Sequence, residues 1–137
     1  MKLSEAKADL IQQEVSNMGL DIFVDKVKYK RLGYFRKVNF LVGFFEKKGF
    51  DVEHQTPFSF DRETADELLN LCNQVLANHS KAKELLPTTP GFFFGSTDYD
   101  KYYYRDVKNV KNWIEDELIP EFNKIGDDEY IQFSTWY

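Results

Sequence analysis

Apolar residues recur along this chain at two spacings, and the changes from one spacing to the other mark its elements. Leu10, Ile11, Val15 and Met18 fall at helical intervals behind a capping Ser4 and before Gly19, which predicts an amphipathic first helix. From Leu20 to Tyr29 the pattern becomes partly alternating. Ile22, Val24, Val27 and Tyr29 there suggest a strand with one wet face, the first of a sheet. After Gly33 the helical period returns from Tyr34 to Lys48. At 100° per residue, Phe35, Val38, Leu41, Val42, Phe44 and Phe45 share one arc, and Arg36, Asn39, Gly43 and Lys47 fall on the opposite stripe. Gly49 is a natural helix stop, and the loop behind it, containing Pro57, has room for a short edge strand at Phe58-Ser59-Phe60.

The second half of the chain has the clearer punctuation. Asp61 is placed to cap a helix to about Asn78, with Ala65, Leu68, Leu69, Cys72, Val75 and Leu76 as its buried stripe. Ser80 then opens a short turn through Leu86 that Pro87 and Pro90 close. Gly91-Phe92-Phe93-Phe94-Gly95-Ser96-Thr97-Asp98 reads as strand, tight turn and helix start. The helix it feeds runs from Asp98 to about Ile119, carries Tyr99, Tyr103, Val107, Val110, Ile114 and Leu118 on its core face, and ends at Pro120. Tyr130 to Trp136 reads as a last strand, pinned into the sheet by its rings. These elements predict a single α+β (or α/β) domain: a three- to four-stranded mixed or antiparallel sheet with helices packed on one face.

Composition narrows the classes of function. A chain of 137 residues buries about two-thirds of its unfolded surface and holds together without disulfides or metals. Its 17% aromatic content favours a core, and an interface, built from rings. The net charge of −5 argues against nucleic acid as a partner, which would call for a basic stripe. A lone Cys72 inside a helical apolar stripe reads as a packed thiol in a reducing compartment, and no apolar run has membrane-spanning length, so a cytoplasmic protein is expected. With two histidines and one cysteine in the chain, no catalytic set and no metal site can be assembled, and no cofactor is expected.

Two places carry candidate chemistry. A glycine in mid-helix costs on the order of 1 kcal/mol against alanine, so Gly43 beside Arg36 and Asn39 points to a close approach on that face. The face is either a solvated stripe with a glycine kept for packing, or an anion or partner site centred on Arg36 and Asn39, where a guanidinium fork suits phosphate. The second place is the Gly95-Ser96-Thr97 turn. A helix starting there would offer unpaired N–H groups and a positive dipole end to phosphate, although a capping role for Ser96 or Thr97 is the commoner use of such residues. It is neither a Walker loop nor a dinucleotide fingerprint. A nucleotide here would stack on Phe92, Phe94, Tyr99 or Tyr102, with Arg36 or Arg105 on phosphate. Tyr102, Tyr104 and Trp113 on the helix flanks are half-buried packing or an interface.

Three segments together resemble a family of small, functionally unassigned bacteriophage and prophage proteins. They are Met18-Gly19-Leu20-Asp21, Tyr34-Phe35-Arg36-Lys37-Val38-Asn39 and Leu85-Leu86-Pro87-Thr88-Thr89-Pro90-Gly91-Phe92-Phe93-Phe94-Gly95-Ser96-Thr97-Asp98-Tyr99-Asp100. The likeness runs from about Met18 to Trp136. Phe35 stands where that family has tryptophan, Val42 where it has histidine, and the family's cysteine-glycine pair in the following loop is missing. Without that histidine, any catalysis built on it in the family is closed to this chain. Because the family starts near Met18, residues 1–17 read as an N-terminal helical extension to a domain of residues 18–137.

The resemblance implies a phage- or prophage-encoded accessory protein, and a role against host defence follows by inference from that setting. The first expectation is a non-catalytic protein holding a nucleotide-like signal or metabolite with Arg36, Asn39, Phe94, Gly95, Ser96, Thr97, Tyr99, Tyr102 and Arg105. The alternative is an inhibitor that caps a host defence protein with its tyrosine-rich, acidic surface. An enzyme comes third, and self-association is compatible with each.

Overall fold

The computed structural model describes residues 19–137, so the helix expected between Ser4 and Met18 lies outside the described residues. The architecture is α+β. Helix α1 spans Phe40–Lys47, strand β1 Phe58–Phe60 and helix α2 Arg62–Ala77; a 3-10 turn at His79–Lys81 leads into the short α3, Ala82–Leu85. Helix α4, Lys101–Trp113, continues through a π-helical turn at Ile114–Leu118 into α5, Ile119–Phe122, and β2 follows at Ile131–Phe133.

The centre of the fold is the pairing of α2 with α4. Asp61 Oδ1 accepts from the Thr64 N–H at 2.9 Å and from Thr64 Oγ1 at 2.7 Å, fixing the start of α2 as its cap chemistry predicts. From there Ala65, Leu68, Cys72 and Val75 face inward at helical spacing and meet Val107, Val110, Ile114 and Leu118 of the α4 rod. Burial pushes the Cys72 thiol up to about 12, the behaviour of a packed apolar group.

A ring cluster joins this helical layer to the sheet. Phe45, on α1, sits 4.4 Å from the Phe133 ring and 5.3 Å from both Phe58 and Phe60, centroid to centroid. Beneath it β1 and β2 pair antiparallel, with Phe58 opposite Phe133 and Phe60 opposite Ile131.

Several sequence expectations are corrected. The sheet has two strands among the described residues, not three or four. Leu20 to Tyr29 takes no regular secondary structure and belongs to no ladder among the described residues. The phenylalanine run is a turn, closed by the Phe94 N–H donating to Gly91 O at 3.1 Å, and not a strand. Helix α1 begins at Phe40 and not at Tyr34, since Lys37 turns the backbone left-handed at φ +59°. Helix α4 begins at Lys101 and not at Asp98, behind the cap Asp100. Pro120 does not end that helix. The Ile119 N–H reaches back to Ile114 O, and this wider turn accommodates the proline just beyond it. Trp136 lies outside β2 and is 95% exposed, so it pins nothing. No helix of the described residues is long and apolar enough to cross a membrane.

Candidate functional site

Asn39, just ahead of α1, organises the loop that carries most of the predicted site. Its side-chain amide donates to Phe94 O and to Ser96 O, both at 2.9 Å, and its Oδ1 accepts from the Thr89 N–H at 3.0 Å. One buried side chain thus closes three backbone positions of the 87–100 loop, and both its N–H hydrogens are spent. The opposite limb is tied as firmly. The Thr88 N–H donates to Tyr99 Oη at 3.0 Å, Thr88 Oγ1 donates to Thr97 O at 3.0 Å, and Ser96 Oγ accepts from the Asp98 N–H at 3.0 Å.

Three glycines let the chain come this close. A Cβ on Gly43 would stand 2.6 Å from Thr89 Oγ1, and one on Gly91 would stand 2.6 Å from the Phe94 ring. Gly95 adopts φ +81° with Lys37 packed against it. Gly43 is therefore the point where α1 touches the loop. Gly43→Ala is expected to be at least ~1 kcal/mol more favourable in a Thr89→Ala background than in the wild type, because the helix-propensity gain is realised only when Oγ1 is gone. A double-mutant cycle by chemical denaturation measures this.

The structure thus brings Asn39 against the loop that carries Phe94, Gly95, Ser96, Thr97 and Tyr99, with Asn39 bonded to Phe94 and Ser96 and Thr88 bonded to Thr97 and Tyr99. Arg36 is exposed ahead of α1. Tyr102 and Arg105 lie at the start of α4, where the Arg105 guanidinium and the Lys101 ammonium each stand 5.1 Å from the Tyr102 ring centroid. The helix end expected to receive phosphate is taken: Asp100 Oδ1 accepts from the N–H groups of Tyr102 and Tyr103 at 3.1 and 3.2 Å, setting a carboxylate on the positive pole. Neither of two concavities is lined by the predicted site residues: one of about 200 Å³ lies between α1, α2 and Leu85 to Pro87, at the start of the loop, and a groove of about 460 Å³ runs past the Phe60 and Ile131 end of the sheet.

What the loop leaves outside is aromatic. Phe92 and Phe93 meet edge to face at 4.6 Å on the Gly91–Phe94 turn and are 94% and 58% exposed. Phe94, half-buried below them, meets Tyr137 edge to face at 4.9 Å, and Trp136 stands beside Tyr137 in sequence. The Tyr137 N–H donates to Gln55 Oε1 at 3.0 Å. Gln55 and Lys37, which border this ring surface, are the non-glycine residues at positive φ among those described, at +56° and +59°. Sequence reasoning missed Phe93, Trp136 and Tyr137. The available signal was three consecutive phenylalanines between glycines, more ring surface than one turn can bury.

His54 and Asp51 pair at 2.7 Å on the surface, a contact that lowers the Asp51 carboxyl, and His79 stacks on Tyr104 at 3.7 Å. Among the described residues no cluster of His, Cys, Asp or Glu could hold a metal ion. No family model, curated protein or solved structure matches the chain.

Proposed function

We propose that this protein is a non-catalytic protein-binding module whose contact surface is the Phe92–Phe93 turn with Trp136 and Tyr137 beside it. The observation that carries this reading is the pair of adjacent, outward rings on a turn whose backbone is fixed from beneath by Asn39. Leaving two phenylalanines in water forgoes roughly 1.5–3 kcal/mol of burial for each, a cost a partner's pocket recovers. A turn already held in shape loses little entropy on binding, and aromatic anchors concentrate interface energy.

In the bacteriophage setting that the resemblance implies, the partner is a host protein, and covering it blocks a defence enzyme or assembly. The nucleotide-like-ligand reading draws less support. Asn39 has no donor to spare, Ser96 Oγ already accepts a backbone N–H, and the α4 terminus carries Asp100.

The test is affinity capture from host lysate with the wild type and with a Phe92→Ser/Phe93→Ser variant, followed by binding measurements on the captured protein. The variant is expected to bind about 100-fold more weakly, with its melting temperature unmoved, because neither ring belongs to the buried core. Equal capture by both proteins, or a nucleotide that raises the melting temperature while no protein is captured, overturns the reading.

A further inference from the structure

We propose that residues 20–29 are an intermolecular β-strand. Each chain lays this segment into the groove beside β1 and β2 of a second copy, giving an arm-exchanged homodimer that is independent of the aromatic turn.

The segment has the makings of a strand and lacks only a neighbour. Leu20, Ile22 and Val24 are 84%, 76% and 93% exposed, and Tyr29 is 76% exposed. Among the described residues, no backbone group from residue 19 to 37 bonds another backbone group. A segment that carries Ile22, Val24 and Val27 at strand-compatible positions, exposed and without backbone partners among the described residues, is the kind of chain that proteins cover or pair. Its base, in contrast, is fixed. Lys30 reaches Glu121 at 3.5 Å, Trp113 Nε1 donates to Leu32 O at 2.8 Å, and Phe35 meets Trp113 at 5.0 Å.

The receiving surface is the groove of about 460 Å³ lined by Ser59, Phe60, Phe122, Glu129, Tyr130 and Ile131. It adjoins a sheet of two strands, a number that is marginal alone and gains from a third. The chemistries match. In the proposed pairing Ile22 and Val24, on one face of the strand, cover the Phe60 and Phe122 rings of the groove, and Lys26 and Lys28 meet Asp61 and Glu129 of its lining, the latter next in sequence to Asp127 and Asp128. Within one chain the segment lies exposed, outside this groove, so the occupant comes from a second copy. Two-fold exchange fills both grooves and closes the assembly.

Sedimentation and light scattering of the full chain test this. The wild type is expected at twice the chain mass by about 100 µM, with a melting temperature that rises with concentration. Val24→Pro removes a ladder N–H at a residue in full contact with water, and is expected to be a folded monomer, whereas Val24→Thr remains a dimer. Glu129→Lys, at the groove rim, is expected to weaken association about 10-fold at low salt. A wild type that stays monomeric, which includes a segment folded onto its own groove, overturns the proposal. So does a Val24→Pro dimer, and an unchanged association constant in Glu129→Lys overturns the groove assignment.

Discussion

Asn39→Asp is expected to release the 87–100 loop and to cost roughly 3 kcal/mol, seen as a melting temperature lowered by on the order of 10 °C. The substitution keeps the shape of the side chain and reverses part of its chemistry. Two amide hydrogens that now donate to Phe94 O and Ser96 O become lone pairs aimed at the same carbonyl oxygens, which lie at 2.9 Å. Only the bond from the Thr89 N–H survives. Both carbonyls lose their donor at a part-buried site, where an orphaned group costs up to about 1–3 kcal/mol, and the carboxylate adds its repulsion. The sign of the pH dependence follows. Facing two carbonyl oxygens, the new carboxyl is held protonated more readily in the folded chain than in the unfolded one, so the penalty eases as the pH falls towards about 4 and is complete near neutrality. Thermal melts at the two pH values check this. Asn39→Ala removes all three bonds, introduces no charge, and shows no such recovery.

Phe45→Ala is expected to be the most damaging single truncation at the sheet, at about 3–5 kcal/mol. Its ring touches the layer from every side: Phe44 at 5.1 Å, Phe50 at 5.7 Å, Phe58 and Phe60 at 5.3 Å and Phe133 at 4.4 Å. Removing it leaves a void of side-chain size between α1 and a ladder three residues long, too short to hold by its own hydrogen bonds. The loss is expected to be local before it is global. Hydrogen exchange should accelerate first at Ile131 to Phe133, while the α2–α4 pair, packed through Cys72, Val75, Val107 and Val110, keeps its protection. Uniform acceleration across both layers would show instead that sheet and helices open as one unit.

The two results separate the parts of the molecule. Asn39 holds up the surface that the proposed binding uses, and Phe45 holds the sheet that the proposed dimer extends. Loss of partner capture in Asn39→Asp with dimerisation intact is the pattern expected if these surfaces are independent.

The long helices were legible in the chain itself. α2 has a capping aspartate, a clean apolar stripe and no conflicting residue, so local propensity and tertiary packing agree along its length. The core face of α4 was equally plain, and only its ends moved: the start to Asp100, a stronger cap in place than Ser96 or Thr97, and the finish past Pro120 through a π-helical turn. The turn at Gly95 was readable, and of the readings open for Gly43 the structure shows a close packing approach, by Thr89 of the loop.

What the sequence left undecided was where each extended segment would find its hydrogen bonds. Leu20 to Tyr29 and Phe92 to Phe94 have strand-like composition, yet a strand is made by its neighbour, and neighbours are set by contacts far apart in sequence. The phenylalanine run closes on itself through the Phe94 N–H and Gly91 O, is held at Phe94 O by Asn39 from 55 residues away, and so became a turn with Phe92 and Phe93 outside. Asn39 illustrates the same limit from the other side. Its polar type and place opposite the apolar arc made it a candidate ligand, and only the folded chain, by burying it against three backbone groups, made it the pin of the loop. The sequence by itself determined the core faces of the two long helices, the Asp61 cap of α2 and a single domain mixing helix with strand, all of which rest on residues within a few positions of one another. The tertiary structure alone decided which rings were left in water and which backbone groups went unpaired, since burial and ladder pairing are properties of the whole fold.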